Sequence, residues 1–189
     1  MGTAFRMSSD FETLLAAMRK AAGALRDAEL PFALAGSVAV YAHGGPDTDH
    51  DVDFLVKPED ADRALDALAA AGFRVHRPSE GWLYKALDPN GALIDIIFEP
   101  ATGPVTDELL SRAEIVEVYA IRVPVLSPTD VLASKLLALR EHNLDFAPML
   151  EIARSLRENI DWAELRQRTD GSPYAKPFFT LVQELGLAA

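Results

Sequence analysis

The stretch LAGSVAVYAHGGPDTDHDVDFLV, residues 34–56, carries the two patterns that decide the fold. An apolar run ends at Gly36-Ser37, and the acidic residues Asp51 and Asp53 open a second apolar run. Both runs predict short buried strands, and the small residues from Val38 to His43 predict a helix between them. We therefore expect a strand, a helix and a second strand, with polar residues at the ends of both strands.

These polar residues favour one kind of ligand. Gly36 has no side chain, so a bound group can approach its backbone, and Ser37 brings a hydroxyl to a helix start, where unbonded N–H groups suit a phosphate. Asp51 and Asp53 are two residues apart in a strand, so their carboxylates share a face and repel each other unless a cation neutralises them. Hard oxygen ligands suit Mg²⁺ or Mn²⁺. The alternative is an ordinary turn followed by a charged strand end.

The spacing of these residues resembles that of a known superfamily. Gly36-Ser37, the thirteen residues from Val38 to His50 and then Asp51-x-Asp53 resemble the G-[GS]-x(9–13)-D-x-D signature of polymerase-β-type nucleotidyltransferases. The resemblance implies that Asp51 and Asp53 bind the metal and that Gly36 and Ser37 bind the phosphates of a nucleoside triphosphate. Many relatives have Arg-x-[ST]-x before the acidic pair. Asp47-Thr48-Asp49-His50 stands there in this chain, so no triphosphate contact is implied for that loop.

Asp95 is a single acidic residue within an apolar run, residues 92–98. Residues 82–87 and 92–98 predict the arms of a hairpin around the turn Asp88-Pro89-Asn90-Gly91. An unpaired carboxylate among the apolar neighbours of Asp95 would be costly. It either pairs with a neighbour such as Lys85 or is a third carboxylate beside Asp51 and Asp53. We favour the third carboxylate, because in the superfamily a third acidic residue on a neighbouring strand supports metal binding and activates the acceptor hydroxyl.

A second resemblance lies in the C-terminal part. Asp130-x4-Lys135, followed by Arg140 and Asp145, resembles motifs of the AbiEii-type branch, which includes the toxins of AbiE and MenAT-type toxin–antitoxin pairs. It implies that Lys135 contacts the nucleotide phosphates and that Asp145 is needed for activity. Relatives often have Lys-Asp-x-x-Asp near this point, and this chain lacks the second acid.

The predicted fold class is α/β. Residues 1–126 should form a nucleotidyltransferase core, a mixed twisted sheet flanked by helices, and residues 127–189 a C-terminal helical bundle packed on that core. The strands predicted at 115–119 and 121–125 should pair at the sheet edge, where Pro124 is tolerated. Apolar periodicity predicts helices at 9–29, from Ser127 onward, and at 146–158, 161–168 and 173–186.

Composition limits the setting and the partners. The 189 residues include no cysteine, and neither a long apolar run nor an apolar signal core at Met1–Arg6 is present, so we expect a cytoplasmic globular protein. Eighteen basic and twenty-nine acidic residues give a net charge of −11, which repels a nucleic-acid backbone. An RNA substrate would need a locally basic face.

The expected reaction is transfer of a nucleoside monophosphate to a hydroxyl, with release of pyrophosphate. The resemblance favours the 3′ end of tRNA as acceptor, with the protein acting as a toxin held by an antitoxin. Three alternatives stay open: a small hydroxylated molecule such as an aminoglycoside or lincosamide, a protein hydroxyl, and a catalytically silent nucleotide-binding module.

Overall fold

The computed structural model describes residues 9–46 and 51–188 of the chain. Within them lie eight α-helices and one seven-stranded sheet. The strands are β1 Ala33–Ala35, β2 Asp51–Leu55, β3 Arg74–His76, β4 Leu83–Leu87, β5 Leu93–Ile97, β6 Glu114–Val118 and β7 Ile121–Val125. The helices are α1 Ser9–Asp27, α2 Gly36–Ala42, α3 Ala61–Ala70, α4 Asp107–Ser111, α5 Pro128–Leu137, α6 Ala147–Leu156, α7 Trp162–Thr169 and α8 Lys176–Glu184.

The sheet is mixed, with strand order β3-β4-β5-β2-β1-β7-β6. Strand β2 lies at its centre, antiparallel to β1 and parallel to β5. The predicted hairpin forms between β4 and β5, and the predicted fold class is confirmed. The segment Asp47–His50, where the Arg-x-[ST] element is missing, lies outside the described residues.

The predicted pair of strands before α5 also forms, but the expectation that Pro124 lies at the sheet edge is wrong. Strand β6 is the edge, and β7, which contains Pro124, lies between β6 and β1. Pro124 is tolerated there because β1 is only three residues long and meets β7 at Leu34 and Val125, which leaves a short ladder on that side.

Alternation along β2 and β5 separates a core face from a polar face. Val52, Phe54, Ile94 and Ile96 are fully buried, and α1 and α3 pack against these strands. The intervening residues, among them Asp51, Asp53 and Asp95, project from the opposite face. The sheet therefore presents its acidic residues away from the main apolar layer.

The C-terminal helices complete the molecule. Helix α5 begins after Ser127, whose hydroxyl accepts a hydrogen bond from the Asp130 N–H at 3.1 Å. It packs against α2, α6 and α7. Buried residues from both sides of the predicted boundary at residue 127 belong to one apolar cluster. None of the described helices has the length and apolar character that a membrane span requires.

Candidate active site

Three carboxylates meet on the polar face of the sheet. Asp53 and Asp95 are opposite each other in the parallel register of β2 and β5, and Asp51 precedes Asp53 by one pleat. One oxygen from each of the three lies within 4.8 Å of the others. Three clustered carboxylate oxygens form a donor set that fits a hard divalent cation such as Mg²⁺. The structure therefore brings together the three acids that the sequence predicted as metal ligands.

Asp95 also makes the ion pair that was its alternative interpretation. Lys85 faces it across the β4–β5 ladder, and the Lys85 Nζ donates to Asp95 Oδ1 at 2.9 Å and to Oδ2 at 2.8 Å. Only 5% of Asp95 is exposed, so burial raises the pKa of its carboxyl, Asp51 raises it further, and Lys85 opposes both. The two interpretations are compatible, because Lys85 holds Asp95 while Asp95 stays beside the other two acids.

Asp53 is the most perturbed acid of the cluster. Burial raises its pKa from the ordinary 3.8 to about 7, and the charges of Asp51 and Asp95 contribute, while Lys135 and Lys85 act in the opposite direction. Without a cation, Asp53 therefore keeps its proton over most of the acidic range. A divalent cation would displace that proton, since it favours the ionised carboxylate.

Gly36 is required by its conformation and by its neighbour. It is the first residue of α2 and has a φ of +59°, a left-handed conformation that other residues adopt at a cost. A Cβ at this position would overlap the Asp53 carboxylate. The space beside Gly36 that the sequence suggested for a ligand is thus partly occupied by the protein's own Asp53 carboxylate. Ser37 follows as the second residue of the helix.

A cavity of about 620 Å³ adjoins this cluster, a volume typical of ligand sites. Gly36, Asp53 and Lys135 line one part of it, and the sheet residues Leu55 and Ile97 form an apolar wall. Its lining also includes Trp82, Glu99, Asp130, Arg140 and Arg168. Lys135 thus lies on a wall of the cavity that Asp53 also lines, and its contact with nucleotide phosphates stays a prediction.

Asp130, which lines the cavity, anchors two arginines. Only 5% of it is exposed, and its Oδ1 accepts from Arg112 Nη2 and from Arg168 Nη1, both at 2.8 Å, while Ser127 Oγ donates to Oδ2 at 2.7 Å. Arg168 belongs to α7 and also donates to Glu164 at 3.2 Å. No sequence pattern indicates Arg112 or Arg168, because 18 and 38 residues separate them from Asp130.

The two other charged residues of the C-terminal motif are placed differently. Arg140 lines the cavity, and its Nη1 donates to the carbonyls of Leu137 and Leu139 at 2.7 and 2.8 Å, at the end of α5. Asp145 is exposed, accepts from the Ala147 N–H at 2.9 Å and is absent from the cavity lining. The structure does not bring Asp145 into this site, and its role in activity stays a prediction.

The sequence and the fold of this chain were compared with those of known proteins. A family model described as uncharacterised nucleotidyltransferase matches residues 8–183. None of the curated proteins matches the sequence.

Among solved structures, the antibiotic-resistance factor ANT(2″)-Ia in complex with adenylyl-2″-tobramycin has a TM-score of 0.62 at 14% identity, with 88% of this chain and 99% of that chain covered. A putative nucleotidyltransferase from Thermotoga maritima has a TM-score of 0.54 at 17% identity, over 83% and 97% of the two chains. An antigenic nucleotidyltransferase-like protein from Paracoccidioides brasiliensis has a TM-score of 0.52 at 16% identity, over 94% and 89%. At these identities the likeness is one of fold.

Proposed function

The chain belongs to the uncharacterised nucleotidyltransferase family, and on that basis we propose that it transfers a nucleoside monophosphate from a nucleoside triphosphate to an acceptor hydroxyl. The observation that carries this proposal is the meeting of three carboxylates with a cavity that Gly36 and Lys135 line. The acids are suited to a metal, and the cavity beside them has space and charge for a nucleotide. We also propose that the protein acts in the cytoplasm, as the sequence leads us to expect.

Asp51, Asp53 and Asp95 would hold one or two Mg²⁺ ions. When bound, Mg²⁺ neutralises charge on the phosphate oxygens at the reacting phosphorus. Gly36 and Ser37 bind the terminal phosphates at the start of α2, and Lys135 adds a positive charge beside them. Lys85 keeps Asp95 oriented through its two hydrogen bonds.

In the proposed step, the acceptor oxygen forms a bond to the α-phosphorus as the bond from that phosphorus to the bridging oxygen of the β-phosphate breaks. Pyrophosphate leaves with the bonding electrons, and the acceptor proton passes to the Asp95 carboxylate. Burial raises the pKa of that carboxyl, which makes Asp95 a stronger base than an exposed aspartate.

Two classes of acceptor are supported by different observations. The resemblance to AbiEii and MenAT-type toxins supports the 3′ end of tRNA. A small, cationic, hydroxylated molecule is supported by the net charge of −11 and by the fold shared with ANT(2″)-Ia, whose complex contains adenylyl-2″-tobramycin.

The deciding experiment supplies each α-³²P-labelled nucleoside triphosphate with Mg²⁺ and either total tRNA or a panel of aminoglycosides and lincosamides. Label should move to one acceptor class with the wild-type protein and not with Asp51→Ala/Asp53→Ala. A matched variant, Asp27→Ala/Asp66→Ala, removes two exposed aspartates of α1 and α3, which pack on the face of the sheet opposite to the acidic cluster, and should keep full activity. Nucleotide binding without transfer to any acceptor would refute the enzymatic proposal and favour a silent binding module.

A cellular test addresses the toxin role. If the protein modifies tRNA as a toxin, expression should arrest growth, and Asp51→Ala should relieve the arrest. Co-expression of a cognate antitoxin should relieve it as well. Normal growth with soluble, active wild-type protein would argue against a toxin and for a small-molecule acceptor.

A further inference from the structure

The far wall of the cavity contains an aromatic and an acidic side chain that the proposed chemistry does not use. Trp82 precedes β4, Glu99 follows β5, and both line the cavity that also contains Gly36 and Lys135. Asp95 and Asp53 share a register position, and Glu99 follows Asp95 by four residues, just past the end of β5, so it lies up to about 13 Å from that position. This distance suits a nucleoside that extends from the acidic cluster.

The backbone of this pair is fixed, whereas both side chains are exposed. The Trp82 carbonyl accepts from the N–H groups of Phe98 and Glu99 at 3.1 and 3.2 Å, which extends the β4–β5 ladder by one step. Trp82 as a whole residue is 41% exposed. Among the described residues, no hydrogen bond or ion pair engages the Glu99 carboxylate or the Trp82 indole N–H. In contrast, the indole N–H of Trp162 donates to the Arg157 carbonyl at 3.2 Å.

The acceptor is a poorer fit to this part of the cavity than the nucleotide. The lining includes Asp53 but neither Asp51 nor Asp95, and Asp95 is the residue that takes the acceptor proton in the proposed step. The acceptor should therefore approach from the Asp95 side, and the cavity with Gly36 and Lys135 belongs to the nucleotide. If the phosphates lie beside Gly36 and Lys135, the base lies at the other end of the cavity, beside Trp82.

We propose that Trp82 and Glu99 form the nucleobase subsite of this cavity and select a base that carries an exocyclic amino group. This inference rests on the proposed nucleotidyl transfer. The indole ring stacks on the base, a contact that every base can make. The Glu99 carboxylate accepts a hydrogen bond from the amino group of adenine, cytosine or guanine. Uracil has no amino group, and its single edge donor, the N3–H, lies between two carbonyl oxygens that the carboxylate would repel.

The first test measures binding of the α,β-methylene analogues of the four nucleoside triphosphates with Mg²⁺, so that no transfer occurs. In Trp162→Phe, Trp82 is the remaining tryptophan, and its fluorescence should be quenched on nucleotide binding. Trp82→Ala should raise the dissociation constant about five-fold to a hundred-fold, and Trp82→Phe should restore part of the affinity. Inorganic tripolyphosphate should bind wild type and Trp82→Ala equally, since it has no base.

The second test addresses selectivity. The wild-type protein should bind at least one analogue with an amino-bearing base about ten-fold more tightly than the uridine analogue, and Glu99→Gln should narrow that ratio, because an amide can also donate to a uracil carbonyl. Unchanged nucleotide affinity in Trp82→Ala, or equal quenching by tripolyphosphate, would overturn the subsite while leaving nucleotidyl transfer intact. A wild-type protein that binds no nucleoside triphosphate would instead refute the proposed function itself.

Discussion

Replacing Asp53 with asparagine should stabilise the metal-free protein at alkaline pH, although it removes a residue on which the proposed activity depends. In the folded protein the pKa of the Asp53 carboxyl is about 7, against 3.8 for an ordinary aspartate. Between these two values the folded state holds a proton that the unfolded state has released. Stability therefore falls as pH rises through this window, and asparagine, which does not ionise, avoids that loss.

The size of the effect follows from the same two pKa values. Their difference corresponds to about 4 kcal/mol against the ionised form once the pH exceeds both. At pH 5 the carboxyl has already ionised in the unfolded state, so part of this loss of stability has occurred by then. The free energy of unfolding should therefore fall by about 2.5 kcal/mol between pH 5 and pH 8. Asp53→Asn should gain this amount relative to wild type over that range.

Urea denaturation of the two proteins in a chelating buffer at both pH values measures the effect directly. Comparing each protein with itself cancels any change in packing that asparagine causes. The matched variant Asp66→Asn alters an exposed carboxyl of α3 and should show no such pH-dependent gain. Saturating Mg²⁺ should flatten the pH dependence of wild type, since the cation stabilises the ionised acids, and should stabilise Asp53→Asn much less.

A constant difference in unfolding free energy between wild type and Asp53→Asn from pH 5 to pH 8 would refute this reasoning. It would mean that Asp53 ionises at an ordinary pH in the folded protein and that the repulsion among the three acids is relieved by solvent. Equal stabilisation of the two proteins by Mg²⁺ would show that Asp53 is not a ligand.

Three further substitutions have expected outcomes of different kinds. Gly36→Ala should lower the free energy of unfolding by about 1–2 kcal/mol, because alanine adopts the left-handed backbone of this position at a cost, and by more if the Asp53 carboxylate cannot move away from the new Cβ. The midpoint of urea denaturation and the rate of nucleotidyl transfer should both fall. Lys85→Met should raise the pKa of Asp95, so the acidic limb of the pH–rate profile should move to higher pH, and an unmoved limb would exclude Asp95 as the base. Asp130→Asn should destabilise the protein by about 3 kcal/mol in urea, because Arg112 and Arg168 lose their shared carboxylate, whereas Asp170→Asn at an exposed site should not.

Much of the fold was predictable because its signals are local. The acidic pair of β2, the turn between β4 and β5 and the Ser127-Pro128 helix start each depend on residues close together in sequence. Asp95 was predictable for a related reason, since a lone acid in an apolar strand must have a charged partner or a cation. The structure supplies Lys85 as the partner and Asp51 and Asp53 as the neighbours.

The remaining features depend on tertiary contacts that leave no mark on sequence pattern. Nothing in the helical period of α7 distinguishes Arg168 from Arg166, the other basic residue of its last turn, and the role of Arg168 emerges only when α7 packs on α5. The Asp130 carboxylate shows the same limit. In sequence it is a charged residue in the first turn of a helix, and in the fold it is a buried junction of two ion pairs.

Gly36 shows how a local signal can be correct for an incomplete reason. The absence of a side chain at residue 36 was expected to let a phosphate approach the backbone. In the structure, the group that leaves no room for a side chain there is the Asp53 carboxylate. The tight turn at the start of α2 therefore brings the predicted phosphate site against a predicted metal ligand, two features that the sequence separates by a helix. Because any side chain at residue 36 must displace that carboxylate, a substitution at the phosphate end of the site should be detected at the metal end.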